Sequence, residues 1–292
     1  MLSPEKARSF LGLDPDAGLL GEVITWTAGR VKVRHLDLVH ALKEAGLEEG
    51  VARELAPRHA FTRACRKLSQ ARIIRQVGED AASITFQFTA ERRDGDHYEY
   101  ELETLLTLDK TTGKVSCELP GLAALAQEEL DRCIEARTGN DVTRIVQRLF
   151  EKQADLFPIR PAGGAYFVAQ EHSHFVDRVQ AFLGRINGQV LRFPVPKGTR
   201  EGDRSVKEAV ANGIAGLIEE HRQAVAAFGS DTREATLTRA AERIRQVKFK
   251  VEAYAAYLAE ERTKLERGLA DAAAQLRKKV LQLSAEKEAP TL

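Results

Sequence analysis

The sequence predicts an α+β fold, and three observations carry that prediction. Up to about Leu119 the apolar residues alternate in short runs with the period of strands. Between Gly121 and Val195 helical and strand patterns mix, and after Lys197 alanine, glutamate, arginine and leucine dominate without any strand signal. With 292 residues, 43% hydrophobic and 30% charged, the chain is long enough that more than one unit is expected. Pro194, Pro196, Gly198 and Gly202 interrupt regular structure and mark a linker. The expected organisation is a domain over 1–119, a small α+β module over 120–196, a linker over 197–202 and a coiled-coil helical hairpin over 203–292.

In the first domain, EVITWT and RVKV flank an Ala28-Gly29 turn and read as a hairpin. LDLVHALKEA then sets Leu38, Ala41, Leu42 and Ala45 on one side of a helix closed by Gly46, with Leu47 covering its end. A short helical segment, EEGVAREL, follows, and Pro57 opens the next helix. From Arg58 to Gln70 the faces separate cleanly. Ala60, Phe61, Ala64, Cys65 and Leu68 share one arc, whereas Arg58, His59, Thr62, Arg63, Arg66, Lys67, Ser69 and Gln70 share the other. RIIRQV, SITFQFTA, the run from Tyr98 to Leu108, and KVSCEL, separated by GEDAA, RRDGD and DKTTG turns, complete an antiparallel meander.

Helix, short helix, helix and hairpin is the order of a winged-helix domain, and Val31 to Phe88 resembles one in pattern. The resemblance implies that Arg58 to Gln70 is a recognition helix and Gly78 to Ala82 a wing tip, the parts that face base edges and backbone in such domains. Glu79 and Asp80 depart from that pattern, because an acidic wing repels phosphate and suits protein better than DNA.

The second module reads as a helix from about Gly121 to Arg137 ended by Gly139, then a helix capped by Asn140 or Asp141 and reaching about Leu156. Two short strands across a Gly163-Gly164 turn follow, then a helix through His174, Val179, Phe182 and Ile186, and the strand QVLRFPV. In the last third, Val206, Val210, Ile214, Leu217, Val225 and Phe228 mark a helix that Gly229 ends, and Asp231 with Glu234 fits a capping box. A single long helix is expected next, its stripe running from Leu237 to Leu283 in steps averaging about 3.5 residues. At 1.5 Å per residue the two helices would measure roughly 39 and 80 Å, so Leu265, Leu269, Leu276, Val280 and Leu283 would lie uncovered. That stripe predicts packing against a homo-oligomer or a partner protein, with folding back onto the chain as the competing outcome.

Forty-four basic and 43 acidic residues leave +1, so only local charge can draw nucleic acid or anionic lipid. It concentrates between Val51 and Gly78, where Arg53, Arg58, Arg63, Arg66, Lys67, Arg72 and Arg75 face Glu54 alone and leave +6. The candidate nucleic-acid contacts are Arg58, His59, Thr62, Arg63, Arg66, Lys67, Arg72 and Arg75. Cys65, Cys117 and Cys133 lack CxxC spacing, which argues against disulfides and zinc and for a reducing, cytoplasmic setting. No signal peptide is read in MLSPEKARSFLGLD, and no apolar run approaches the ~20 residues of a membrane span.

Other chemistry is weak. EHSH offers Glu171, His172 and His174, with Asp177 one turn after His174 on its face, but histidines at i and i+2 point to different sides of a helix, so no metal is expected. RPAGGAYF lacks the GK[ST] of a phosphate loop, and neither a cofactor motif nor a catalytic triad is readable. The expected function is a non-enzymatic, DNA-associated protein that touches duplex DNA through the basic helix and assembles through its C-terminal coiled coil. The alternative is a structural adaptor that binds no DNA.

Overall fold

The computed structural model describes residues 18–70, 72–94, 97–160, 163–258 and 261–288. The N-terminal stretch read above for a signal peptide, Gly95 and Asp96 of the RRDGD turn and Pro161 and Ala162 of RPAGGAYF lie outside the described residues. The fold is mixed α+β, with several sheets and a helical C-terminal region. Among the described residues no helix is long and apolar enough to cross a membrane. The chain forms two compact units that interleave in sequence, 27–149 with 178–189, and 1–26 with 150–177 and 190–292.

In the first of these, β2 (Lys32–Arg34) leads into α1 (His35–Glu44), a 3-10 turn (Glu49–Val51), α2 (Pro57–Lys67) and the strands β3 (Arg72–Glu79), β4 (Ser83–Asp94), β5 (His97–Asp109) and β6 (Val115–Ser116). EEGVAREL thus supplies a single 3-10 turn in place of the expected short helix. Gly46 ends α1 at φ +66°, and Leu47 N–H bonds back to Leu42 O at 2.9 Å, as the sequence leads one to expect. The four strands form one antiparallel sheet in sequence order. Ile84, Phe86, Phe88, Leu106 and Leu108 on one sheet face pack with Phe61, Ala64 and Cys65 of α2 and with Leu122, Ala126 and Leu130 of α3 (Pro120–Glu135). Phe61 meets Phe86 edge to face at 5.6 Å.

The expected Ala28-Gly29 hairpin does not form. β2 pairs instead with β7 (Ala136–Thr138), from Lys32↔Thr138 to Arg34↔Ala136. Gly139 therefore follows a strand, not the end of α3, and begins α4 (Gly139–Gln153). Any Cβ there would sit 1.9 Å from Ala28 O, which only glycine avoids.

The second unit holds the sheet β10-β1-β9-β8, made of β1 (Leu19–Thr27), β8 (Phe157–Pro158), β9 (Tyr166–Ala169) and β10 (Gln189–Pro196). β1 pairs with β9 from Gly21↔Ala169 to Ile24↔Tyr166. β1 lies between β10 and β9 in this sheet, with Gly21, Glu22 and Ile24 buried. β8 and β9 form the short hairpin expected around Gly163 and Gly164, both at positive φ. α5 (Ser173–Arg185) follows.

The C-terminal region is not a two-helix hairpin. α6 (Arg200–Ala226) is followed by α7 (Glu234–Ala253), a four-residue turn of helix, α8 (Ala255–Leu258), and α9 (Arg262–Glu288). α9 packs against both α6 and α7, which a straight continuation of α7 could not do. The stripe is consequently internal. Leu265, Leu269, Leu276 and Leu283 are buried and Val280 is half-buried, with Leu265 and Leu269 in one cluster with Val210, Ile214, Ile218 and Val251. The break lies at Tyr254, whose ring is buried edge-on to Phe157 at 4.7 Å. The Asp231/Glu234 capping box is also absent; Gly229 N–H donates to Thr232 Oγ1 at 2.9 Å instead.

Candidate functional site

α2 forms where the sequence places it because Pro57 sits in its first turn and its apolar arc meets the sheet. Its opposite face carries the candidate nucleic-acid contacts. Most of the cations there have carboxylate partners within the fold. Arg63 grips Asp141 of α4 through two bonds of 2.8 and 2.5 Å, and Asp141 also accepts from Thr138 N–H and Thr138 Oγ1 at 2.9 Å. Burial opposes the Asp141 charge, but the guanidinium and the Thr138 donors outweigh it and hold this carboxyl at about 2.

Lys67 reaches Glu129 of α3 at 2.8 Å, and Arg72 forks onto Glu103 of β5 at 2.5 and 2.7 Å. Both carboxylates lie below their ordinary range because of these partners. Arg58 pairs with Glu79 at 3.2 Å, and Glu79 also takes Lys110 at 2.9 Å. The acidic turn between β3 and β4 is thus tied down: Asp80 accepts from Ala82 N–H and Ser83 N–H at 2.8 and 2.6 Å, shaping the turn. Thr62 Oγ1 donates to Arg58 O at 2.9 Å, and His59 is exposed. Arg53, Arg66 and Arg75 are exposed and form no ion pair among the described residues. These pairings join residues up to 78 positions apart, so helical spacing held no sign of them.

A second polar group, not anticipated from sequence, sits in the unit with the C-terminal helices. Arg192 of β10 clasps Glu22 of β1 at 2.5 and 2.8 Å, pairs with Asp177 and reaches Ser173 Oγ at 3.1 Å. Its pKa is raised, chiefly by the Glu22 bond. Lys250 pairs with Asp155, and Tyr254 Oη lies 3.3 Å from His172 Nε2. The EHSH residues diverge as their spacing implies: His172 turns to Glu171 and Tyr254, whereas exposed His174 sits 3.6 Å from Asp177. Among the described residues no group of three metal-ligating side chains converges.

The sheet offers one more surface. At the register shift between Phe88 and Thr89, β5 carries Glu103 as an extra residue: Phe88 faces Thr104 and Thr89 faces Leu102. β4 alternates without interruption, so Thr89, Glu91 and Arg93 point away from the face that bears Phe88. Their partners Leu102, Tyr100 and Tyr98 point the same way. These three are 57%, 57% and 53% exposed. Glu99, Glu101 and Glu103 lie on the opposite face, where Arg72 meets Glu103.

Fold and site together define a mixed α+β protein whose basic helix is bound largely into its own fold. The chain belongs to the family of unknown function DUF6744, whose model matches residues 19–289. No curated protein and no solved structure matches it.

Proposed function

We propose that this chain is a non-enzymatic structural adaptor, a protein-interaction module rather than a reader of DNA. The observation that carries the reading is the internal use of the basic cluster: Arg58, Arg63 and Lys67 of α2 and Arg72 of β3 each face a carboxylate of the same unit. The partly buried Arg63 and Arg72 must give up a partner before they can neutralise a phosphate, which cancels much of the gain from counterion release, whereas the more exposed Arg58 and Lys67 pairs subtract less. The exposed row Tyr98, Tyr100 and Leu102 supports the same reading, since aromatic side chains on a rigid strand are what protein interfaces favour. Partner contact through the stripe of α9 loses its argument, because the chain covers that stripe itself. The three free cysteines agree with a reducing compartment such as the cytoplasm.

Arg53, Arg66 and Arg75 favour a second reading, weak duplex contact through the same region. Anisotropy of a labelled duplex titrated with the full chain separates the two. The adaptor reading expects no saturable binding at 50 mM salt. Saturable binding with a log-log salt slope near about −2.7, as about three phosphate contacts would give, and its loss in Arg66→Glu/Arg75→Glu, would overturn it.

A further inference from the structure

β5 is a thirteen-residue strand with an open edge. β4 pairs along its whole length on one side, whereas β6 covers only Thr107 and Leu108 on the other. From His97 to Leu106 no strand among the described residues occupies that second edge, so its outward N–H and C=O groups are free to continue the ladder. The register shift at Glu103 gives this edge two different faces. One carries Tyr98, Tyr100 and Leu102; the other carries Glu99, Glu101 and Glu103. Glu103 is held by Arg72 and Glu101 lies 3.7 Å from Arg92, while Glu99 is exposed with no ion pair among the described residues.

Resting on the adaptor reading, we propose that this edge binds an extended segment of a partner protein in which basic and apolar residues alternate. Main-chain bonds to β5 would supply affinity and the two faces would select side chains, the logic of strand addition to a sheet edge. Apolar side chains of the segment would lie beside Tyr98, Tyr100 and Leu102, and lysine or arginine beside Glu99 and Glu101. The same charges argue against a second copy of this chain. Two β5 edges joined antiparallel about a two-fold axis keep each face on its own side, so glutamate would stand opposite glutamate, which is destabilising. Nucleic acid is disfavoured here for the same reason.

The test uses the full chain and a labelled peptide of about ten residues alternating lysine and valine. A second peptide keeps that charge but carries proline at alternate positions, which removes ladder donors. The expected result is saturable binding of the first peptide, at least about tenfold weaker binding of the second, and new hydrogen-exchange protection confined to 97–106. In Glu99→Lys/Glu101→Lys, two exposed substitutions, preference should shift by about tenfold or more towards a peptide alternating glutamate and valine, as expected when cross-strand attractions become repulsions. Equal binding of the proline peptide would reduce the contact to bulk charge and overturn the inference. No binding of the lysine-valine peptide, with none of duplex DNA either, would overturn this inference and leave the adaptor reading standing. Salt-dependent duplex binding lost in Arg66→Glu/Arg75→Glu would remove the adaptor reading itself.

Discussion

The guanidinium of Arg63 on α2 and the carboxylate of Asp141 at the start of α4 form a forked, partly buried ion pair, and the same carboxylate caps Thr138. One side chain therefore joins the helix on the sheet to the β2–β7 ribbon. Because the Asp141 carboxyl is held at about 2, below its ordinary 3.8, the pair stabilises the fold above the unfolded-state value, and that stability is lost as pH falls from about 4 towards 2. The difference corresponds to about 2 kcal/mol. Arg63→Met, which strands a carboxylate only 12% exposed, should cost about 3 kcal/mol in urea unfolding at pH 7 and flatten the acid limb of the stability profile. An unchanged acid limb would show that the pair is not the source.

How far the fold was legible follows from which residues carried local information. The apolar arc of α2 and the Gly46 stop of α1 are set by neighbours three to five positions apart, and both formed as the sequence implied. The face of Tyr98, Tyr100 and Leu102 is not local. They share even spacing with Leu106 and Leu108 in one run, and only the extra residue at Glu103 turns them to the other side. The end of α7 is hidden for a different reason. The stretch around Tyr254 has neither glycine nor proline and keeps its heptad spacing, so the break arises from packing of Tyr254 on Phe157 and Tyr257 on Phe167. The pairing of the basic face was not legible, because charge counts along a sequence do not show which carboxylate a cation will meet.

Two histidines give the fold a pH response in a higher window. His35 is lowered from 6.5 by burial and by Arg137, and His221 by burial and by Arg243. Their ring nitrogens Nδ1 and Nε2, respectively, are buried without a hydrogen-bond partner among the described residues. The unfolded chain therefore takes up these protons first, and stability should decline as pH falls below about 6.5. Urea midpoints at pH 7.5 and 5.5 should differ for the native chain and differ less for His35→Gln/His221→Gln. If the double variant keeps the full difference, other groups are responsible.

The three free thiols should react in a fixed order. Cys65 is fully buried, and burial pushes its thiol up to about 12; Cys133 is buried as well, while Cys117 is partly exposed. A thiol-specific reagent at pH 8 should modify Cys117 alone in the folded protein and all three in urea. Rapid labelling of Cys65 without denaturant would mean that the packing of α2 on the sheet opens on the timescale of the assay.

The buried stripe of α9 yields a prediction with opposite outcomes for an internal core and an external interface. Leu269 is 8% exposed and packs in one cluster with Val210, Ile214 and Ala272, within a single chain. Removing its three outer carbons leaves a cavity that helices pinned on both sides can only partly close. Leu269→Ala should therefore cost about 2 to 5 kcal/mol in unfolding of the isolated chain. The loss should not depend on protein concentration, because no second copy supplies the contacts. Leu281, 72% exposed on the same helix, serves as the control, and its replacement by alanine should change stability by about 0.5 kcal/mol or less. If Leu269→Ala leaves the unfolding midpoint untouched but dissociates an oligomer in light scattering, the stripe belongs to an interface between chains and the fold-back of α9 onto α6 and α7 is wrong.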